Sequence, residues 1–151
     1  MIQLKPNMKL IGRREYINLP WLNMEHIEAK IDTGAYTCAI HCESIAVKTE
    51  NGKQVLVVKL LDADGHTHDF NEFTLKKIKN SFGEMEERYI IKTLICIGRK
   101  KIRTTMSLSD RGNMRYPVLI GRRLLKGKFV VDVSQVYTNG IRLNKLIRQR
   151  K

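Results

Sequence analysis

Asp32-Thr33-Gly34, with Ala35 behind it, is the stretch of this chain best suited to chemistry. The alternation Ile27, Ala29, Ile31 leads into it, and alternating apolar residues predict a short strand with one buried face. Such a strand delivers a carboxylate to a sharp turn. Gly34 can take a positive φ there or let another backbone come close, and the small Ala35 lets the chain turn inward. A carboxylate held rigidly in this way can work on a substrate as acid or base. Asp and Gly are also ordinary turn residues, so the tripeptide alone reads more readily as a surface turn.

A second stretch changes the balance. Tyr116-Pro117-Val118-Leu119-Ile120-Gly121-Arg122-Arg123-Leu124-Leu125 is an apolar run closed by Gly, then an Arg and a helix-like turn. Asp-Thr-Gly-Ala on one strand, with two apolar residues, Gly and Arg later on, resembles the signature pair of retropepsin-like aspartic peptidases. Within them the chain is similar, nearly throughout, to the bacterial RimB-like family, which is labelled an ATP-dependent zinc protease and associated with RimK/LysX-type ligases. The shared stretches are Ile11 to Glu15, Ala29 to Ala35, Glu87 to Ile91, Ser109-Asp110-Arg111 through Met114 to Pro117, and Gly127 to Val133.

The resemblance implies an all-β fold, a retropepsin-like closed barrel with one or two short helices. It assigns catalysis to Asp32, Thr33 and Gly34, with Thr33 bonding across a two-fold axis and the Gly34 carbonyl offered to substrate. Gly121 would let the helix turn pack under the Asp loop, and Arg122 resembles the family's structural Arg. Ala35 and Tyr36 would touch substrate. So would Ser81, Phe82 and Gly83, whose place roughly 40 residues before Gly121 resembles the flap that folds over bound peptide. One departure stands out. Viral retropepsins carry an acidic residue after the Ala, which pairs with that Arg; here the position is Tyr36. The segment between Asp32 and the flap is also longer than in the viral enzymes.

The remaining pattern is short strands separated by Gly-containing turns. Leu10 to Asn18 reads as a first strand, and Leu19 to Leu22 as a turn in which Trp21 is expected in the core or an interface. Ala39 to Cys42 returns to strand, with His41 expected as a structural histidine. Asn51-Gly52 is a strong hairpin signal between Ile45–Thr49 and Gln54–Leu61. A polar turn at 79–84 leads into Glu86 to Lys92, and Thr93–Ile97 with Ile102–Leu108 forms another hairpin. Ser109 to Arg115 reads as a polar loop, Arg122 to Lys126 as a short helix ended by Gly127, and Phe129 to Val133 as a strand. Residues 141–151 read as a basic tail with helical potential.

At 151 residues with 42% hydrophobic content, the chain is expected to be one domain, residues 1–151, with a real core. No apolar run approaches the roughly 20 residues of a membrane-spanning helix, so no membrane partner is expected. No secretory signal is visible, and Cys38, Cys42 and Cys96 read as reduced thiols of a cytoplasmic protein. No metal or cofactor is expected. Cys38, His41 and Cys42 lack a second Cys/His pair at zinc-finger spacing. His66 and His68 lie in a polar turn, and no phosphate-binding loop supports ATP.

The net charge of +13 is uneven: residues 1–75 carry 8 Lys/Arg against 10 Asp/Glu, and residues 76–151 carry 20 against 5. That asymmetry suggests an acidic partner.

Two functions fit. The first is a homodimeric aspartic endopeptidase, since one chain has a single Asp-Thr-Gly and Asp110 and Asp132 lack the following turn. By the resemblance, its substrate is a poly-glutamate extension made by a RimK-type ligase on a ribosomal protein. The second is a catalytically silent barrel that holds RNA or the ribosome through its basic face. The intact Asp32-Thr33-Gly34, which a silent module need not keep, separates them.

Overall fold

The computed structural model describes residues 5, 7–60, 66–79, 82–110 and 115–142. It is mostly β-strand: β1 Lys9–Ile11, β2 Arg14–Leu19, β3 Met24–Asp32, β4 Cys38–Glu50, β5 Lys53–Leu60 and β6 Thr67–Phe70 come first. They are followed by β7 Thr74–Lys79, β8 Met85–Ile97, β9 Lys100–Ser109, β10 Val118–Gly121, β11 Phe129–Val131 and β12 Ile141–Arg142. The helical pieces are a 3₁₀ turn at Pro20–Leu22 and α1, Arg122–Leu125.

Six strands close a ring. The order β10-β3-β2-β8-β9-β4 returns to its start because β10 pairs with β4 as well as with β3. Closure leaves the ring itself without an open edge. β5 and β6 extend the sheet beyond β4, β7 pairs with β8, and β11, β1 and β12 make a separate small sheet. The interior is aliphatic: Ile17, Leu19, Ile40, Ile91, Ile95, Met106 and Ile120 are fully buried. Each such side chain contributes about 1.5–3 kcal/mol on leaving water. The closed all-β barrel and the short helix implied by the resemblance are both present.

Several local expectations are corrected. The stretch Leu10 to Asn18 is two strands, not one. A Cβ at Gly12 would strike the Gln135 carbonyl, and the break is held by Glu15, a fully buried carboxylate. Glu15 accepts bonds from the backbone N–H of Gly12 (2.7 Å), Thr138 (3.1 Å) and Asn139 (2.8 Å), and from the Thr138 hydroxyl (2.9 Å). A buried carboxylate is tolerable only with such a set of donors.

Trp21 is not a core residue. It is 55% exposed, and Leu22 is the buried anchor of that turn. The basic tail begins as a strand, with Leu10 opposite Ile141, and 143–151 lie outside the described residues. Ser109 belongs to β9 and is buried; the loop after it falls largely on residues 111–114, also outside them.

The hairpin at Asn51-Gly52 forms as read. Both residues have positive φ, and Glu50 pairs with Lys53 across the turn. Between the Asp32 turn and the β7–β8 hairpin lie this β4–β5 hairpin and β6. Thr93–Ile97 continues the strand begun at Met85, so the β7–β8 hairpin and the following hairpin share β8.

Candidate active site

Asp32 is the last residue of β3, lying beside Gly121 in a parallel ladder that also pairs Ala29 with Val118 and Ile31 with Ile120. Directly after Asp32 the chain turns. The Ala35 N–H donates to the Asp32 carbonyl (3.2 Å), the Arg122 N–H to the Ala35 carbonyl (2.8 Å), and the Arg123 N–H to the Tyr36 carbonyl (3.1 Å). The turn is thus sewn onto the start of α1. A Cβ at Gly121 would lie 2.5 Å from the Thr37 carbonyl oxygen, so only glycine lets the two segments meet.

Gly34 meets neither expectation: its backbone is not left-handed, and among the described residues no backbone other than that of its chain neighbours lies within 4 Å of where a Cβ would stand. Its neighbour is the Asp32 carboxylate, with Oδ1 3.4 Å from where a Cβ would stand. Asp32 is half-buried, while Thr33, Gly34 and Tyr36 are exposed.

Arg122 closes the turn from the other side. Its guanidinium donates to the Gly34 carbonyl (3.1 Å) and, more loosely, to the Thr33 carbonyl (3.5 Å), and it stacks over the Tyr36 ring at 5.3 Å. Tyr36, which replaces the acidic residue of the viral enzymes, therefore still engages the Arg, by its ring face instead of a charge. The Gly34 carbonyl expected to meet substrate is already an acceptor for Arg122, though a carbonyl has a second lone pair. Thr33, Tyr36, Arg122, Leu125, Phe129 and Val131 help line a cavity of about 590 Å³ beside the turn.

The β7–β8 hairpin forms with Lys79 opposite Met85. Beyond Ile90 toward its tip, β8 pairs, among the described residues, with β7 alone. Phe82 (83% exposed), Met85 and Leu75 stand in solvent there. Gly83, at the tip, has φ +80°; Ser81 lies outside the described residues. Phe82 and Gly83 are thus on the outermost part of a projecting hairpin.

The residues considered for zinc do not suit it. Cys38 and Cys42 sit four residues apart on extended β4, roughly 13 Å at about 3.3 Å per residue, too far to share a tetrahedral ion. Burial raises the Cys38 thiol pKa, and burial together with the Asp110 charge pushes Cys42 up to about 11, so neither is a ready thiolate. His41 is buried in the same strand, its Nδ1 without a hydrogen-bond partner among the described residues. Among the described residues, no three His, Cys, Asp or Glu side chains converge on a metal position. No described helix is long and apolar enough to cross a membrane.

Sequence reasoning missed Glu15 and Thr138, which hold the chain's late segment against its start. Glu15 lay inside a shared stretch, but nothing in its spacing marks a charged residue as buried.

The chain is similar to longer proteins. Over 142 residues it is 28% identical to the "Probable alpha-L-glutamate ligase" of Shewanella halifaxensis (strain HAW-EB4), covering 91% of this chain and 31% of that one. Over 134 residues it is 27% identical to the protein of the same name from Desulfotalea psychrophila (strain LSv54 / DSM 12343), covering 82% and 28%. The chain therefore spans less than a third of the length of these curated relatives.

Among solved structures, a protein of unknown function from Legionella pneumophila subsp. pneumophila str. Philadelphia 1 superposes with a TM-score of 0.69 at 25% identity. The match covers 87% of this chain and 98% of that one. The model of the RimB-like family, described as retropepsin-like aspartic endopeptidase RimB, matches residues 10–141. With that match over the barrel and its Asp32 turn, the chain belongs to the RimB-like family.

Proposed function

We propose that two copies of this chain form an aspartic endopeptidase, each contributing Asp32 to one site on a two-fold axis. Peptide hydrolysis of this kind needs two carboxylates around one water. The ionised one takes a proton from the water, and the protonated one polarises the scissile carbonyl. Collapse of the hydrated carbonyl then passes a proton to the leaving amine. One chain offers a single carboxylate at a rigid turn, so pairing about an axis completes the set.

The observation that carries this reading is the Asp32 turn itself. Its carboxylate is half-buried at the end of a strand locked to Gly121, and its carbonyls are gripped by Arg122. In this reading the exposed Thr33 bonds to its counterpart across the axis, the apolar cavity beside the turn receives part of the second copy, and Phe82 and Gly83 cover the peptide while Ala35 and Tyr36 border it.

The substrate we infer is a glutamate-rich extension on a cytoplasmic, ribosome-associated protein. Two things support it: the relatives' names speak of glutamate ligation, and 20 of the chain's Lys and Arg lie in residues 76–151, where an acidic peptide would be drawn in.

The test is cleavage of a glutamate-extended peptide by wild type and Asp32→Asn at matched dimer concentration. Asn keeps the shape and cannot take up the proton, so cleavage should fall by at least about a hundredfold, and specific activity should drop on dilution. Equal rates would make Asp32 a turn residue only.

A further inference from the structure

A larger concavity, of about 850 Å³, opens elsewhere on the barrel, between the Pro20–Leu22 turn, β8, β9 and α1. Asp32 and Thr33 are not part of its wall. Trp21 is, and its indole is more than half exposed although its neighbour Leu22 is buried. Lys92, Arg103, Arg123 and Lys128 also line the space. Behind Lys128 stands more positive charge. Lys100 Nζ donates to the Lys128 carbonyl (3.4 Å), and its pKa is lowered by burial first and then by the charges of Lys9 and Lys128. Two carboxylates, Asp69 and Glu72, share the wall, and Asp69 is paired with Lys48 at 3.6 Å.

We propose that this cavity, which shares Arg123 with the cavity beside the Asp32 turn, is a site for single-stranded nucleic acid, with a base stacked on Trp21 and phosphates over Lys92, Arg103 and Lys128. An indole flanked by cations suits this ligand because every base has a π face and every link a negative charge. Asp69, Glu72 and the hydroxyls of the half-buried Thr104 and Thr105 can accept bonds from base amino and ring N–H groups. An acidic polypeptide fits the same wall less well. It would use the cations, gain nothing from the indole, and meet Asp69 and Glu72 as like charges.

Trp21 is the chain's single tryptophan, so its fluorescence reports on this cavity alone. The full chain is titrated with 12-mers of oligouridylate and oligothymidylate, and with a glutamate peptide of matched charge, at low and moderate salt. Saturable quenching by an oligonucleotide is expected, and whichever of the two binds tighter names the source. By anisotropy of a labelled oligonucleotide, Trp21→Ala should weaken binding roughly tenfold or more, and Trp21→Phe should keep most of the affinity. The double variant Lys92→Gln, Arg103→Gln should flatten the slope of log K against log salt by roughly one to two. Asp32→Asn should bind like wild type, which keeps this outcome independent of the peptidase reading. Absence of quenching at low salt, Trp21→Ala binding as well as wild type, or the glutamate peptide quenching at least as tightly as the oligonucleotides would each overturn the proposal.

Discussion

The Asp32 turn and the β7–β8 hairpin belong to one barrel and are held in opposite ways. The turn is bonded on three sides: by the parallel ladder to β10, by the backbone bonds to α1, and by the Arg122 guanidinium. The hairpin is bonded on one. From Met85 to Tyr89 its only ladder partner among the described residues is β7, and Phe82 and Met85 near its end are exposed. Backbone that many bonds fix can hold a carboxylate in one place, whereas backbone with few tertiary contacts opens at little cost. In the peptidase proposed above, the turn would serve as the floor and the hairpin as the cover.

The contrast can be broken at the floor. Gly121→Ala should be the most damaging change, because its Cβ meets the Thr37 carbonyl and neither backbone can yield. A loss of at least about 1–3 kcal/mol is expected from overpacking, read as a lower urea midpoint. An unchanged midpoint would mean the two segments are not locked.

Arg122→Ala should cost less, about 0.5–1 kcal/mol, since its carbonyl bonds and ring contact are made by an exposed side chain. Amide exchange at Ala35 and Arg122 should quicken, with the β8–β9 amides unaffected. Arg122→Lys should recover only part, since an ammonium cannot stack and fork at once.

At the cover the expectation reverses. Phe82→Ala should leave stability within about 0.5 kcal/mol, because the side chain is exposed, yet raise KM for peptide if the hairpin closes on substrate. A variant that unfolds early with KM unchanged would make Phe82 a packing residue and dissolve the comparison.

Much of the floor was legible in the sequence. Ile27, Ala29 and Ile31 alternate because one face is buried, and Ile120-Gly121 marks a strand that ends in close contact. Both signals are local, as is the Asn51-Gly52 hairpin. What was not legible depends on distant partners. Gly12 breaks a strand because Gln135 is there, Glu15 is buried because Thr138 and Asn139 come to it, and Trp21 is left outside because Leu22 fills the space. Nor could spacing show that Tyr36 would take the Arg122 guanidinium on its ring face. That follows only once the turn has folded back against α1.

The placing of β10 has a consequence for how the chain is made. Val118 sits between Ala29 and Ile40, so the ring closes across most of the polypeptide's length. Strands β3 and β4 are synthesised early and keep open edges until residues 118–121 leave the ribosome. A topology with such remote pairings folds slowly, on the order of milliseconds to seconds. During that interval the nascent chain exposes the unpaired strands most prone to join with those of another molecule, and the Asp32 turn cannot form until the last strand of the ring arrives.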